Sequence, residues 1–203
     1  MTRHYYNQQC EAQIAAAPLG SRLLLHSCCG PCSTAVLEQL GEHFAVTLYF
    51  YNPNILPTDE YQNRLDAQRT VVDRLATRYP VQWIAVPYNP APFRSAIEGL
   101  EAEPEGGNRC THCFFLRLAE TARLAKEQGF LYFTTTLSVS PRKDANRLNE
   151  IGMALGETYG LSYLAADFKK KGGYQRSIEL AKTLQLYRQT YCGCQAPSVD
   201  SAL

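Results

Sequence analysis

The sequence has no surplus of charge of either sign. Twenty Lys and Arg residues stand against 19 Asp and Glu, a formal net charge of +1. This excludes a whole-molecule electrostatic binder of nucleic acid, so any contact with an acidic polymer has to come from a local patch. No apolar run approaches the roughly 18 residues needed to cross a bilayer. The opening stretch from Met1 to Gln9 lacks an apolar h-region, which argues against a signal peptide. There is also no internal repeat, no linker and no second core, so the 203 residues are read as a single domain, 1–203. The expectation is a cytoplasmic protein without membrane contact, in a compartment that keeps thiols reduced. A glycine- and serine-rich phosphate loop after the first strand is missing too. Its place is taken by Cys28-Cys29-Gly30-Pro31-Cys32, where proline removes an amide and thiols replace hydroxyls. That counts heavily against ATP chemistry.

Cysteine, by contrast, is plentiful and grouped. Seven of the eight cysteines fall in three clusters, Cys28-Cys29-Gly30-Pro31-Cys32, Cys110-Thr111-His112-Cys113 and Cys192-Gly193-Cys194, with about 80 residues between neighbours. Such spacing suits bringing soft sulfur ligands from three loops to one point better than stapling a fold. A lone C-x-x-C is a weak signal; three clusters in a reducing compartment are a strong one.

The apolar runs alternate in kind. Arg22 to His26, Ala45 to Tyr51, Val81 to Val86, Leu131 to Thr136 and the shorter Leu161 to Ala165 read as strands, bounded by Gly, Pro and Asn. Helices are expected behind Pro31, over Thr58 to Arg78 with Thr58 or Asp59 as cap, over Cys110 to Gly129, Asn146 to Tyr159 and Tyr174 to Leu186. Gly99 to Asn108 reads as an exposed loop. Strands alternating with helices give an α/β fold with a parallel sheet flanked by helices. Sites in such sheets lie beyond the carboxyl ends of the strands, an edge that all three clusters can reach.

At a strand-to-helix turn the positive helix end favours thiolate. Cys29 and Cys32 are expected to share a helical face, with Cys28 pointing elsewhere; Cys110 and Cys113 share a face in their own first turn. Glycine between Cys192 and Cys194 gives a flexible backbone and a pair close enough for redox cycling or joint ligation. Structural zinc takes four ligands, and seven thiols exceed one zinc. Iron or an iron–sulfur cluster fits the number and softness of the ligands better, with a metal-free dithiol enzyme as a further alternative. Cys10 stands alone as an ordinary thiol. His26 reads as a structural histidine beside the first cluster, His112 as an even choice between the site and the surface, and His4 and His43 carry no signal.

Together, H-S-C-C-G-P-C-S after the first strand, Y-N-P-N-I after the second, R-C-x-H-C-F-x-x-R-L and the late Y-R-Q-x-Y-C-G-C resemble the epoxyqueuosine reductase family of the QueH type, from about Arg22 to Cys194. The resemblance implies removal of the epoxide oxygen of epoxyqueuosine at the tRNA wobble position, the last step of queuosine synthesis, on a HUP-like (Rossmann-like) fold. It also implies a 4Fe–4S cluster on Cys28, Cys29, Cys110 and Cys113, a redox-active pair at Cys192 and Cys194, and an additional iron for which Cys32 is the open candidate ligand. The partners implied are tRNA and a low-potential electron donor.

Turning an epoxide into an alkene consumes two electrons and two protons, whereas a 4Fe–4S cluster passes electrons singly. Cys192 and Cys194 could close that gap as a dithiol or by joining Cys32 on a second iron, which would polarise the epoxide oxygen. Asp59, Glu60, Tyr61 and Asp144 are candidate acids, each also readable as a cap or surface residue. For the tRNA, Arg142-Lys143 and Lys169 to Arg176 are candidate phosphate contacts, with Tyr174 able to stack on an unpaired base; Arg188 and Tyr191 either hold substrate or pack. The competing functions are a zinc-stabilised nucleic-acid-binding module and an ATP-dependent tRNA thiolation-type enzyme.

Overall fold

The computed structural model describes residues 5–194; His4 and the outer ends of the expected 1–203 domain lie outside them. Five parallel strands, β1 (Arg22–His26), β2 (Ala45–Phe50), β3 (Gln82–Ala85), β4 (Tyr132–Thr135) and β5 (Ser162–Tyr163), form one sheet in the order β3-β2-β1-β4-β5. Among the described residues seven α-helices accompany them: α1 (Tyr5–Ala16), α2 (Gly30–Leu40), α3 (Thr58–Arg74), α4 (Ala91–Ala96), α5 (Asn108–Glu127), α6 (Ala145–Tyr159) and α7 (Gly173–Thr183). Among the described residues no helix is long and apolar enough to cross a membrane.

β1 is central and buried on both faces, which is why it reads as a continuous apolar run rather than an alternation. Leu24, with Tyr49 and Phe133, packs toward Phe114 and Leu118 of α5 and Leu148 of α6. Leu23 and Leu25 pack on the other side with Leu37 and Leu40 of α2 and Val71 of α3. The chain leaves β1 toward β2 and β3 and then crosses to β4 on the opposite side. The crevice between the carboxyl ends of β1 and β4 is therefore the switch point where α/β sheets open a site.

α1 and the short α4 are not foreshadowed in the sequence. α1 has almost no amphipathic pattern to announce it, yet it seats Cys10 (2% exposed) in the core. The ordinary thiol is thus a buried one, and burial pushes its pKa up to about 12. The cap of α3 also differs from expectation. Pro57 is the N-cap, with no side-chain cap bond, and Asp59 and Glu60 complement the helix dipole from within the first turn.

Candidate active site

The first cluster is set by β1 running straight into α2. Cys29 is the N-cap of α2, in extended backbone (φ −174°, ψ 163°), and proline follows in the first turn. Gly30 is required by proximity: a Cβ there would lie 2.5 Å from the Ala67 carbonyl oxygen of α3. Gln68 clamps the turn, accepting from Ser27 Oγ at 2.6 Å and donating to Ser33 Oγ at 3.0 Å. Asn52 of the Y-N-P-N-I segment donates to the Ser27 carbonyl at 2.8 Å.

The extended backbone at Cys29 changes one expectation. Cys28 does not point away: the sulfurs of Cys28, Cys29 and Cys32 all lie within 4.8 Å of one another, with Cys28 and Cys29 3.8 Å apart. The three form a soft-ligand triad able to hold a metal. Nor does the helix end favour thiolate equally at all three. Hydrogen bonds from Cys29 and then Cys32 hold Cys28 well below the usual thiol range, helped by Thr136 and Arg117. The bond to Cys28 pushes Cys29 up to about 12 and also holds Cys32 well above the usual thiol range. Uptake of a metal by all three therefore requires the release of protons.

Cys110 and Cys113 are buried in the first turns of α5 (4% and 5% exposed). Cys110 Sγ accepts from the Gly106 amide at 3.2 Å. Cys113 packs with Phe93, Ile97 and Cys194, and burial pushes its pKa up against the pull of Arg117. Arg117, one helical turn further along the same face, is itself buried and donates to the Cys113 carbonyl and to Asn52 Oδ1. Its spacing from Cys110 and Cys113 is the sequence signal that could have marked it.

The last cluster is carried by a segment without regular structure after α7. The Leu56 amide donates to the Gly193 carbonyl at 2.7 Å. Gly193 serves close packing rather than flexibility, since a Cβ there would meet Ile55 Cγ1 at 2.9 Å and Arg64 Nη1 at 3.1 Å. Cys192 and Cys194 stand 3.5 Å apart, sulfur to sulfur, without a disulfide. The hydrogen bond from Cys194 and the nearby Lys143 pull Cys192 down to about 4, while the same bond pushes Cys194 up. Lys143 Nζ lies 3.3 Å from Cys192 Sγ and 2.8 Å from Glu105 Oε1. Lys143, expected as a phosphate contact, is thus mostly buried against a thiol.

A cavity of about 290 Å³ joins the first and last clusters; Cys110 and Cys113 do not line it. Cys28, Cys32, Cys192 and Gly193 line it together with Arg64, Arg117 and Lys143, and Glu105 is its single carboxylate among the described residues. Gln189 of the terminal segment donates to Cys29 Sγ at 3.1 Å. Gln189 falls within the Y-R-Q-x-Y-C-G-C motif but is not singled out there, and Glu105, a lone polar residue within a loop, carries no signal. Arg64 and Glu60 form a buried ion pair at 2.6 Å, and Tyr187 donates to Glu60 at 2.6 Å, tying the terminal segment to α3. Burial raises the Glu60 carboxyl, but the bonds from Tyr187 and Arg64 overcome it and hold the group below its usual range.

The other candidate acids have structural places. Tyr61 donates to the Val86 carbonyl, Asp144 caps α6 by accepting from the Asn146 and Arg147 amides, and Asp59 is exposed. His112 is exposed, away from the cavity. His26 is fully buried, donating from Nε2 to the Tyr51 carbonyl at 3.1 Å and accepting at Nδ1 from Thr135 Oγ1 at 2.9 Å. Burial, then Arg117, pulls its pKa from 6.5 down to about 3. The folded state keeps this ring neutral where the unfolded chain takes up a proton, so the stability it supports is full above pH 6.5 and falls as pH drops toward 3. Between pH 6.5 and 5 the wild type should lose about 2 kcal/mol more than His26→Asn. Urea unfolding at both pH values measures this, and parallel losses would refute it.

Comparison with known proteins places this arrangement. The family model described as epoxyqueuosine reductase QueH matches residues 23–199. Relatives that carry that name include three from different bacteria. The Staphylococcus epidermidis protein is 44% identical over 177 residues, covering 85% of this chain and 74% of its own length. The Streptococcus pyogenes protein is 43% identical, covering 85% and 68%, and the Thermotoga maritima protein 34% identical, covering 85% and 88%. The matched region takes in β1 from Leu23 onward, all three cysteine clusters and every residue lining the cavity, and the chain belongs to the epoxyqueuosine reductase QueH family.

Proposed function

We propose that this protein reduces the epoxide of epoxyqueuosine in tRNA, completing queuosine synthesis, in the cytoplasm and with electrons from an external low-potential donor. The observation that carries the reading is the cavity itself, where thiols from the β1–α2 turn meet the Cys192–Cys194 pair beside a cluster of cations.

The donor set fits an iron–sulfur group. The ligands at hand are thiols, and Arg64, Arg117 and Lys143 offset the negative charge that several thiolates around iron would carry. Cys28, Cys29, Cys110 and Cys113 would hold a 4Fe–4S cluster, and Cys32, which faces the cavity, remains as a ligand for an additional iron. The chemistry supplied by such a group when bound is one-electron transfer.

The protein's own residues do the rest. Cys192 as thiolate and Cys194 as thiol together hold two electrons and one proton, and the second proton comes from solvent. Their conversion to a disulfide balances loss of the epoxide oxygen as water and formation of the carbon–carbon double bond; the donor then returns the pair to dithiol. Lys143 keeps a positive charge at the cavity wall: burial opposes it, but Cys192 and Glu105 outweigh burial and push its pKa up. That charge steadies Cys192 as thiolate. Arg64 and the Glu60–Tyr187 bond hold the terminal segment over the thiols.

Anaerobically purified protein incubated with epoxyqueuosine-containing tRNA and a low-potential reductant should yield queuosine by nucleoside mass analysis. Several irons per chain with acid-labile sulfide are expected alongside. One zinc, no sulfide and no product would leave the zinc-stabilised binding module instead.

A further inference from the structure

Resting on that reading, we propose that Arg142 and Arg188, at the rim of the thiol cavity, grip the phosphates flanking the target nucleotide, and that Tyr174 with Arg188 forms the platform for an adjacent base. The lysine run beside α7 would then not be the phosphate grip.

The lysine run is largely answered within the protein. Lys169 pairs with Asp167 at 2.6 Å, Lys171 pairs with Glu11, and Arg176 pairs with Glu38 at 2.6 Å and Glu179 at 3.4 Å. A cation already held by a carboxylate gains less from a phosphate, because the first pair has to be given up. The run also lies largely away from the thiols. Lys170 and Lys171 line a different cavity, with Cys10 and Gln39.

The rim is different in both respects. Arg142 is 60% exposed, and its nearest carboxylate, Glu105, stands at 3.8 Å with its other oxygen on Lys143 at 2.8 Å. Arg188 is exposed and has no carboxylate partner among the described residues. Its Nη2 donates to Tyr174 Oη at 3.1 Å, and its guanidinium lies 5.9 Å from the Tyr174 ring centroid. Both arginines and Tyr174 line the cavity that holds Cys28, Cys32 and Cys192.

Two separate chain segments thus place exposed guanidinium groups around one opening, Arg142 only loosely paired with Glu105 and Arg188 without a carboxylate partner among the described residues. Guanidinium is the group suited to bidentate phosphate recognition, and a tyrosine ring or guanidinium plane suits a splayed base. A cavity of about 290 Å³ matches one nucleoside-sized group and not a length of duplex. The ligand is therefore an unpaired RNA strand with one residue turned inward and its neighbours held outside, which costs little in a loop whose bases are already unpaired.

The test uses the full chain with its resident metal and epoxyqueuosine-containing tRNA, comparing the wild type, Arg142→Gln/Arg188→Gln and Lys170→Gln/Lys171→Gln over a salt series. The arginine variant should bind roughly 100-fold more weakly, about tenfold for each guanidinium–phosphate hydrogen bond removed. Its slope of log affinity against log salt should fall by about 1.4, at about 0.7 for each single-strand phosphate neutralised. Its kcat at saturating tRNA should hold while KM rises. The lysine variant should stay close to wild type in all three. Wild-type turnover with the ranking reversed, or with both variants unchanged, would overturn the rim alone. A wild type that binds no tRNA would overturn the rim together with the functional reading beneath it.

Discussion

A Cys29→Ser protein, purified without oxygen, is expected to lose its iron and its turnover together. Cys29 is fully buried, caps α2 in extended backbone, and is held in place by Gln189. It therefore cannot be replaced by a neighbour swinging into position. Serine offers a smaller, harder oxygen where the surrounding donors are sulfur. Loss of an outer-shell partner alone costs 10- to 100-fold in metal affinity, so loss of a ligand should cost at least about 100-fold. Iron and sulfide analysis reads this directly. Metal-free wild type and metal-free variant should unfold within about 1–2 kcal/mol of each other, the scale of one buried hydroxyl. Full iron content and full turnover in the variant would remove the triad from the active site.

Cys192→Ser is expected to behave in the opposite way, keeping iron while turnover falls by at least about 1000-fold, the scale seen when a reacting group is removed. The reason is position: Cys192 faces the cavity at 3.5 Å from Cys194 and 3.3 Å from Lys143. Without it, the two-electron step has no dithiol to draw on. Lys143→Met should produce a milder defect of about 10- to 100-fold, the worth of a hydrogen bond to a charged group, and Lys143→Arg should recover part of it. Turnover by Cys192→Ser at the wild-type rate would show that the terminal pair takes no part in the chemistry.

Much of this architecture is legible in the sequence, for reasons that differ by element. Leu23 to Leu25 announce β1 because the part of a strand buried on both faces has to be apolar on both, and Gly30-Pro31 marks its end. The three cysteine clusters announce a shared edge because a parallel sheet delivers its loops to one side. α1 stays hidden because its apolar residues do not segregate to one face. The meeting of Cys28 with Cys29 and Cys32 is hidden as well, since a helical spacing rule does not apply to a residue in extended backbone just before the helix begins. Lys143 and Glu105 lie 38 residues apart and meet only in the folded chain. The sequence offers the charge of Lys143 and not its neighbour, so an exposed phosphate contact is the natural expectation. Arg117 sits between these cases: its spacing is visible, but its burial at 3% exposure is not.

The three sulfurs of the triad come from five consecutive residues near the start of the chain, whereas Cys192 and Cys194 arrive some 160 residues later. A nascent polypeptide therefore exposes the whole triad long before the ribosome has made the segment that closes over it. Both anchors of that late segment, Leu56 and Glu60, are already made when it emerges, so it closes over the triad onto finished surface through the Leu56–Gly193 bond and the Glu60–Tyr187 bond.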